Sequence, residues 1–129
     1  MKDYKNILIC DDSEFIRETL RVFLSDLKGY RLTFAGDGKE ALDHVSHENY
    51  DLIIMDIQMP YFSGTELIRL IREVNHIETP IIVLTGHLKD SSIREKLDDY
   101  YVQHVLTKPF SPAILIDRIN ETFVKHATV

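Results

Sequence analysis

Asp11, Asp12 and Asp56 each stand directly beyond a short apolar run. Asn6-Ile7-Leu8-Ile9-Cys10 leads into Asp11-Asp12, and Asp51-Leu52-Ile53-Ile54-Met55 leads into Asp56. A short apolar run bounded by polar residues reads as a buried strand. Buried strands of a parallel sheet bring their carboxyl ends to one edge, where ligands bind. If these strands are neighbours, three carboxylates converge, and like charges that close cannot all ionise cheaply. A hard divalent cation relieves the repulsion, and Mg²⁺ (or Mn²⁺) suits such an all-oxygen set. Two further strand ends reach the same edge: Leu84 precedes Thr85-Gly86, and Leu106-Thr107 precedes Lys108-Pro109. This set suits phosphoryl transfer. A carboxylate can attack phosphorus and form an acyl phosphate, a metal neutralises the phosphoryl oxygens, and a hydroxyl and an ammonium take the rest. On this reading Asp56, on the central strand, is the nucleophile. Asp11 and Asp12 hold the metal, Lys108 pairs with the phosphoryl group and Thr85 donates to it. Singly, each residue has a plainer role: Asp56 as a turn cap, Lys108 as a surface lysine, Thr85 as a hydroxyl on local backbone. Their coincidence at one edge argues for chemistry.

The elements that must position them alternate strand and helix, the pattern of an α/β domain with a parallel sheet. Strands are expected at about Asn6 to Cys10, Arg31 to Ala35, Leu52 to Met55, Ile81 to Leu84 and His104 to Thr107. The first helix starts near Ser13, a plausible cap, buries Ile16, Leu20, Phe23 and Leu27, and ends at Lys28-Gly29. Asp37, in the turn Gly36-Asp37-Gly38, caps a second helix that buries Ala41, Leu42 and Val45. The third helix runs from about Thr65 to Val74 with Leu67, Ile68 and Ile71 inward, and the fourth from about Ser91 to Tyr100, anchored by Ile93 and Leu97. The fifth starts at Ser111-Pro112, with proline at the first helical position, and buries Ile114 or Leu115, Ile119 and Phe123.

The chain has 129 residues, enough for one domain with a proper core, and one domain is expected across 1–129. Its 44% hydrophobic and 28% charged residues are ordinary for a globular protein. A net charge of −6 argues against direct nucleic-acid binding, which wants a basic face. No apolar run approaches the roughly 20 residues of a membrane span, and Met1-Lys2-Asp3-Tyr4-Lys5 lacks the apolar segment of a signal peptide. The single Cys10 has no internal disulfide partner, and the cytoplasm is the expected location.

The motifs together resemble the receiver domain of two-component response regulators, over essentially the whole chain. They are Asp11-Asp12, Gly36-Asp37-Gly38-Lys39-Glu40-Ala41-Leu42, Asp56-Ile57-Gln58-Met59-Pro60 with Gly64 eight residues past Asp56, Thr85-Gly86, and Lys108-Pro109-Phe110. The resemblance implies a flavodoxin-like, doubly wound α/β fold, a five-stranded parallel sheet of order 2-1-3-4-5 with five helices. It implies that a histidine kinase or histidine phosphotransfer protein presents phosphohistidine to Asp56, the chain catalysing only its own phosphorylation and dephosphorylation. Asp11, Asp12 and Asp56 then become the Mg²⁺ ligands, joined by the Gln58 backbone carbonyl, with Thr85 and Lys108 as switch hydroxyl and phosphate-binding lysine. A cis Lys108-Pro109 bond is implied as well. Gln58 and His87 become the positions that tune the lifetime of the phosphorylated state. The expected output is a changed surface on helix four, strand five and helix five, read by a downstream protein, a fused output domain or a second copy of the chain.

The sequence departs from the family in two places. Val105 stands three positions before Lys108, where an aromatic residue is usual, so no ring is expected to swing inward as Thr85 moves. Tyr100-Tyr101-Val102-Gln103 replaces the usual Gly-Ala approach to strand five. The rival readings are a metal-dependent aspartyl phosphatase or phosphotransferase acting on outside substrates, a flavodoxin-like cofactor binder, and a degenerate receiver serving as an interaction module. The first wants a substrate cap and often an Asp-x-Asp motif. The second wants a phosphate loop where Asp11-Asp12 would repel phosphate.

Overall fold

The computed structural model describes residues 4–25, 27, 29–86, 95 and 97–127, without the side chains of 125–127. Five strands, β1 (Lys5–Cys10), β2 (Tyr30–Ala35), β3 (Leu52–Asp56), β4 (Ile81–Thr85) and β5 (His104–Thr107), form one parallel sheet of order β2-β1-β3-β4-β5. The helices are α1 (Glu14–Ser25), α2 (Gly38–His47), α3 (Gly64–Arg69), α4, described at residues 95 and 97–99, and α5 (Pro112–Ala127). Lys28, His87, Ser91, Ile93 and the first three residues lie outside the described residues.

Period-two alternation sends the central strands' side chains to two cores. Leu8, Cys10, Ile53, Met55, Ile81 and Val83 pack with Ala41 and Val45 of α2, Leu67 and Ile68 of α3, and Leu97 of α4. Ile7, Ile9, Leu52, Ile54, Ile82 and Leu84 pack with Leu20 and Leu24 of α1 and Leu115 and Ile119 of α5. Every residue of β3 is buried, as a strand covered on both faces must be. The expected caps form: Ser13 Oγ accepts from Ile16 N at 3.3 Å and Asp37 Oδ1 from Glu40 N at 2.8 Å.

The stripes differ from expectation in detail. Phe23 is 44% exposed, and Leu24 takes the inward place, because from Leu20 the i+4 position faces the sheet and i+3 falls on the outer flank. On α5, Leu115 is inward and Ile114 exposed. The third helix keeps α-geometry only to Arg69. Leu70–Val74 form a wider π-type turn, in which Asn75 N donates to Leu70 O at 2.9 Å. This turn carries the Arg72 guanidinium to the carbonyls of Ile77 (2.8 Å) and Tyr100 (3.0 Å), tying helix end to the approach to β5. There Tyr100 is half-buried, with its hydroxyl donating to Glu73 at 3.2 Å, and Tyr101 is exposed with φ +57°.

Like-for-like substitutions on α5 report this burial. Ile119→Val is expected to cost about 0.5–1.5 kcal/mol, and Ile114→Val to stay within about 0.5 kcal/mol of the parent. Urea unfolding followed by circular dichroism measures both, and equal losses would contradict the orientation of α5.

Candidate functional site

Register decides what meets at the carboxyl edge. Cys10 pairs with Met55 and Asp56 with Leu84, so the residues after β1 and the last residue of β3 lie side by side. Thr85 pairs with Thr107, which places Lys108 one step beyond Thr85. Lys108 N donates to Thr85 O at 2.7 Å, and the Lys108-Pro109 bond is cis.

Asp11, Asp12 and Asp56 each offer a carboxylate oxygen within 4.8 Å of the others. Asp11 and Asp56 are buried and Asp12 is exposed. Lys108 Nζ bridges the buried pair, donating to Asp11 Oδ2 at 2.8 Å and Asp56 Oδ2 at 3.1 Å. Ser13 N donates to Asp11 Oδ1 at 2.9 Å and Gln58 N to Asp56 Oδ1 at 3.1 Å. Both buried carboxylates therefore have one oxygen on backbone and one on the lysine.

Burial pushes the Asp56 carboxyl above its ordinary range. The Gln58 N–H opposes this, the Asp11 charge adds to it, and Lys108 opposes it again. Burial disfavours the charge on Lys108, but bonding and attraction to Asp11, then Asp56, outweigh that and raise it. Among the described residues, one ammonium bonds to two of the three carboxylates, and the Arg17 guanidinium reaches only the Asp11 carbonyl, which leaves the carboxylates short of positive charge. The donor set is oxygen throughout, with neither thiolate nor imidazole, which fits a hard cation. Cys10, the neighbour of Asp11, is fully buried, and burial pushes its thiol far up, so it supplies no nucleophile.

Beside the acids opens a cleft of about 470 Å³ lined by Asp12, Ile57, Gln58, Met59, Pro60, Ser63 and Thr65. The structure thus brings together Asp11, Asp12, Asp56 and Lys108, with Thr85 buried at the neighbouring strand end and Gln58 at the rim. His87 lies outside the described residues. Sequence reasoning passed over Arg17, whose Nη1 donates to the Asp11 carbonyl at 2.7 Å. A polar residue beside Ile16 on the flank of α1 was the available signal.

This fold with this acidic edge defines the class of aspartate-centred receiver proteins. The family model described as "Response regulator receiver domain" matches residues 7–120, and the chain belongs to that family. It is 38% identical over 114 residues to response regulator RR06 of Streptococcus pneumoniae, a match covering 88% of this chain and 51% of that protein. It is 35% identical over 135 residues to hybrid signal transduction histidine kinase I of Dictyostelium discoideum, covering 95% of this chain and 7% of that protein. The chain therefore spans about half, or far less, of the curated relatives it matches. Among solved structures, the Francisella response regulator 1452 receiver domain superposes with a TM-score of 0.85 at 34% identity, covering 95% of this chain and 98% of that one. The chain is thus a receiver domain of two-component signalling. No described helix is long and apolar enough to cross a membrane.

Proposed function

We propose that the chain acts over 1–129 as a phosphorylation switch in the cytoplasm, with Asp56 as phosphoacceptor. The donor is phosphohistidine on a histidine kinase or histidine phosphotransfer protein. An Asp56 carboxylate oxygen attacks phosphorus, the P–N bond breaks, and the imidazole leaves with the electron pair and takes up a proton. The observation that carries this reading is the Lys108 ammonium, bonded at once to Asp11 and Asp56 at 2.8 and 3.1 Å. It already stands where a phosphoryl group on Asp56 would need a cation. Asp11, Asp12, Asp56 and the Gln58 carbonyl would hold Mg²⁺ or Mn²⁺, which when bound neutralises charge on the phosphoryl oxygens.

Phosphorylation adds close to two negative charges at this strand end. Lys108 follows the new oxygens, the Thr85 hydroxyl donates to them, and the end of β4 shifts with Thr85. A state held at about 1% needs about 5.5 kcal/mol of differential stabilisation to reach about 99%. A few charge-assisted hydrogen bonds of ~1.5–3 kcal/mol each reach that figure. The changed surface on α4, β5 and α5 is read by a downstream protein, a fused output domain or a second copy of the chain, and not directly by nucleic acid. Gln58 and His87 set how readily water reaches the acyl phosphate.

Transfer from a histidine phosphotransfer domain carrying labelled phosphohistidine tests the reading. Label is expected to pass to this chain in the presence of Mg²⁺ and to stay on the donor when EDTA is added. Retention on the donor in both, with acyl phosphates preserved, would refute it.

A further inference from the structure

We propose that Arg17 is a positioning residue for the cation site, acting on Asp12 through the Asp11–Asp12 peptide. The inference rests on reading Asp11, Asp12 and Asp56 as that site. Arg17 lies on α1, and its Nη1 donates to the Asp11 carbonyl at 2.7 Å. That carbonyl belongs to the peptide from which Asp12 projects. The rest of Asp11 is already held: its N–H donates to Ala35 O at 3.1 Å, Oδ1 accepts from Ser13 N at 2.9 Å and Oδ2 from Lys108 at 2.8 Å. With its amide and carboxylate fixed, the freedom left is rotation of the Asp11–Asp12 peptide plane. The bond from Arg17 stops that rotation. Asp12 is exposed, so core packing does not orient it.

The guanidinium has a place shaped for it. Gly36 follows β2, and a Cβ there would lie 3.2 Å from Arg17 Nη1 and 3.6 Å from its Cζ. The Gly36 N–H is itself bound by Glu40 Oε2 at 3.2 Å, which steadies this wall. A planar fork on a long stem reaches the carbonyl from the helix flank, and a lysine point charge does not reproduce that geometry.

The sign of the effect separates positioning from charge. On charge alone, a guanidinium near a divalent-cation site weakens binding, so removing it should tighten binding. Positioning predicts the opposite. Calorimetric titration of the full chain with MgCl₂ compares the parent, Arg17→Ala, Asp12→Ala and the double variant, with thermal unfolding in EDTA as a check on folding. Arg17→Ala is expected to weaken Mg²⁺ binding about tenfold, as loss of an outer-shell partner does, while its unfolding in EDTA stays cooperative. Added to Asp12→Ala, it is expected to cost nothing further. Equal or tighter binding by Arg17→Ala overturns the proposal, and so does a full tenfold loss on top of Asp12→Ala. If alanine unfolds the chain, Arg17→Gln takes its place: it also removes the charge and is too short to span the gap, so weaker binding is again expected and tighter binding refutes. A parent chain that binds no Mg²⁺ overturns the cation-site reading itself, a result distinct from any difference between variants.

Discussion

Asp56→Asn is expected to abolish phosphoryl uptake while leaving the chain folded and, without metal, more stable than the parent. The amide keeps the shape of the side chain and an oxygen for the Gln58 N–H, which lies 3.1 Å from Asp56 Oδ1. It cannot form an acyl phosphate, and removing a covalent nucleophile lowers rates by on the order of 10⁴ or more. Intact mass after incubation with a small-molecule phosphodonor and Mg²⁺ reads this directly. The parent gains one phosphoryl group, and the variant gains none. The stability half follows from the raised Asp56 carboxyl, for which burial is the leading cause. A carboxyl whose folded pKa lies above its unfolded value stabilises most at low pH, and that contribution is lost as pH rises through the folded pKa. At neutral pH the ionised group is therefore a net cost, and the neutral amide removes it. The amide nitrogen in place of Oδ2 cannot accept from Lys108 Nζ, so that 3.1 Å bond is lost, and the ammonium turns to its 2.8 Å partner Asp11. A higher unfolding midpoint in EDTA at pH 7 is the expected reading, and its excess over the parent should shrink toward pH 4. Uptake equal to the parent's would move the nucleophile elsewhere, to Asp11 or Asp12 first. Loss of uptake together with loss of the folded state would leave the role of Asp56 unsupported.

The acidic edge was legible because strands carry a period of two and short limits. Once Ile7–Cys10 and Leu52–Met55 are read as buried, the next residues have one place to go, and the pairing of Cys10 with Met55 puts them there. Lys108 followed by the same logic from β5. Helical faces were less legible. The 3.6-residue period leaves i+3 and i+4 nearly equivalent on paper, so spacing points Phe23 inward where Leu24 lies and does not divide Ile114 from Leu115. The π-type turn at Leu70–Val74 depends on one residue of slack in a helix, and no local composition marks it. Arg17 was missed for a related reason. Its reach to Asp11 O depends on a long side chain crossing from helix flank to strand end, which spacing does not encode. Lys108 is legible because it follows a strand end directly, whereas Arg17 reaches the same edge from a helix flank, which only coordinates reveal.

Gly64→Ala is expected to destabilise the fold by about 1–3 kcal/mol and to slow phosphoryl uptake, although Gly64 carries no chemistry. A Cβ at Gly64 would lie 2.5 Å from Ile57 Cα, 2.9 Å from Asp56 O and 3.0 Å from Ile57 O. All three are backbone atoms, so no rotamer change relieves them. Two displacements could. If the start of α3 withdraws, the hydrogen bond from Gly64 N to Ile57 O is lost, the Ser63 cap on Glu66 shifts, and Leu67 and Ile68 lift from the core they fill. If instead the chain at Asp56-Ile57 withdraws, β3 loses its place between β1 and β4, and the Gln58 N–H moves off Asp56 Oδ1. The first path reaches the site through the helix packed on the loop, the second through the nucleophile's own strand, so both couple a lost contact to a slower reaction. Gly86→Ala is the control, because among the described residues a Cβ there meets nothing within 4 Å. It should change stability by less than about 0.5 kcal/mol. Urea unfolding of both variants, with phosphoryl uptake timed by intact mass, separates the outcomes. A Gly64→Ala chain as stable and as fast as Gly86→Ala would mean that α3 does not press on the loop behind Asp56. The glycine eight residues past the nucleophile would then have no steric reason to be there.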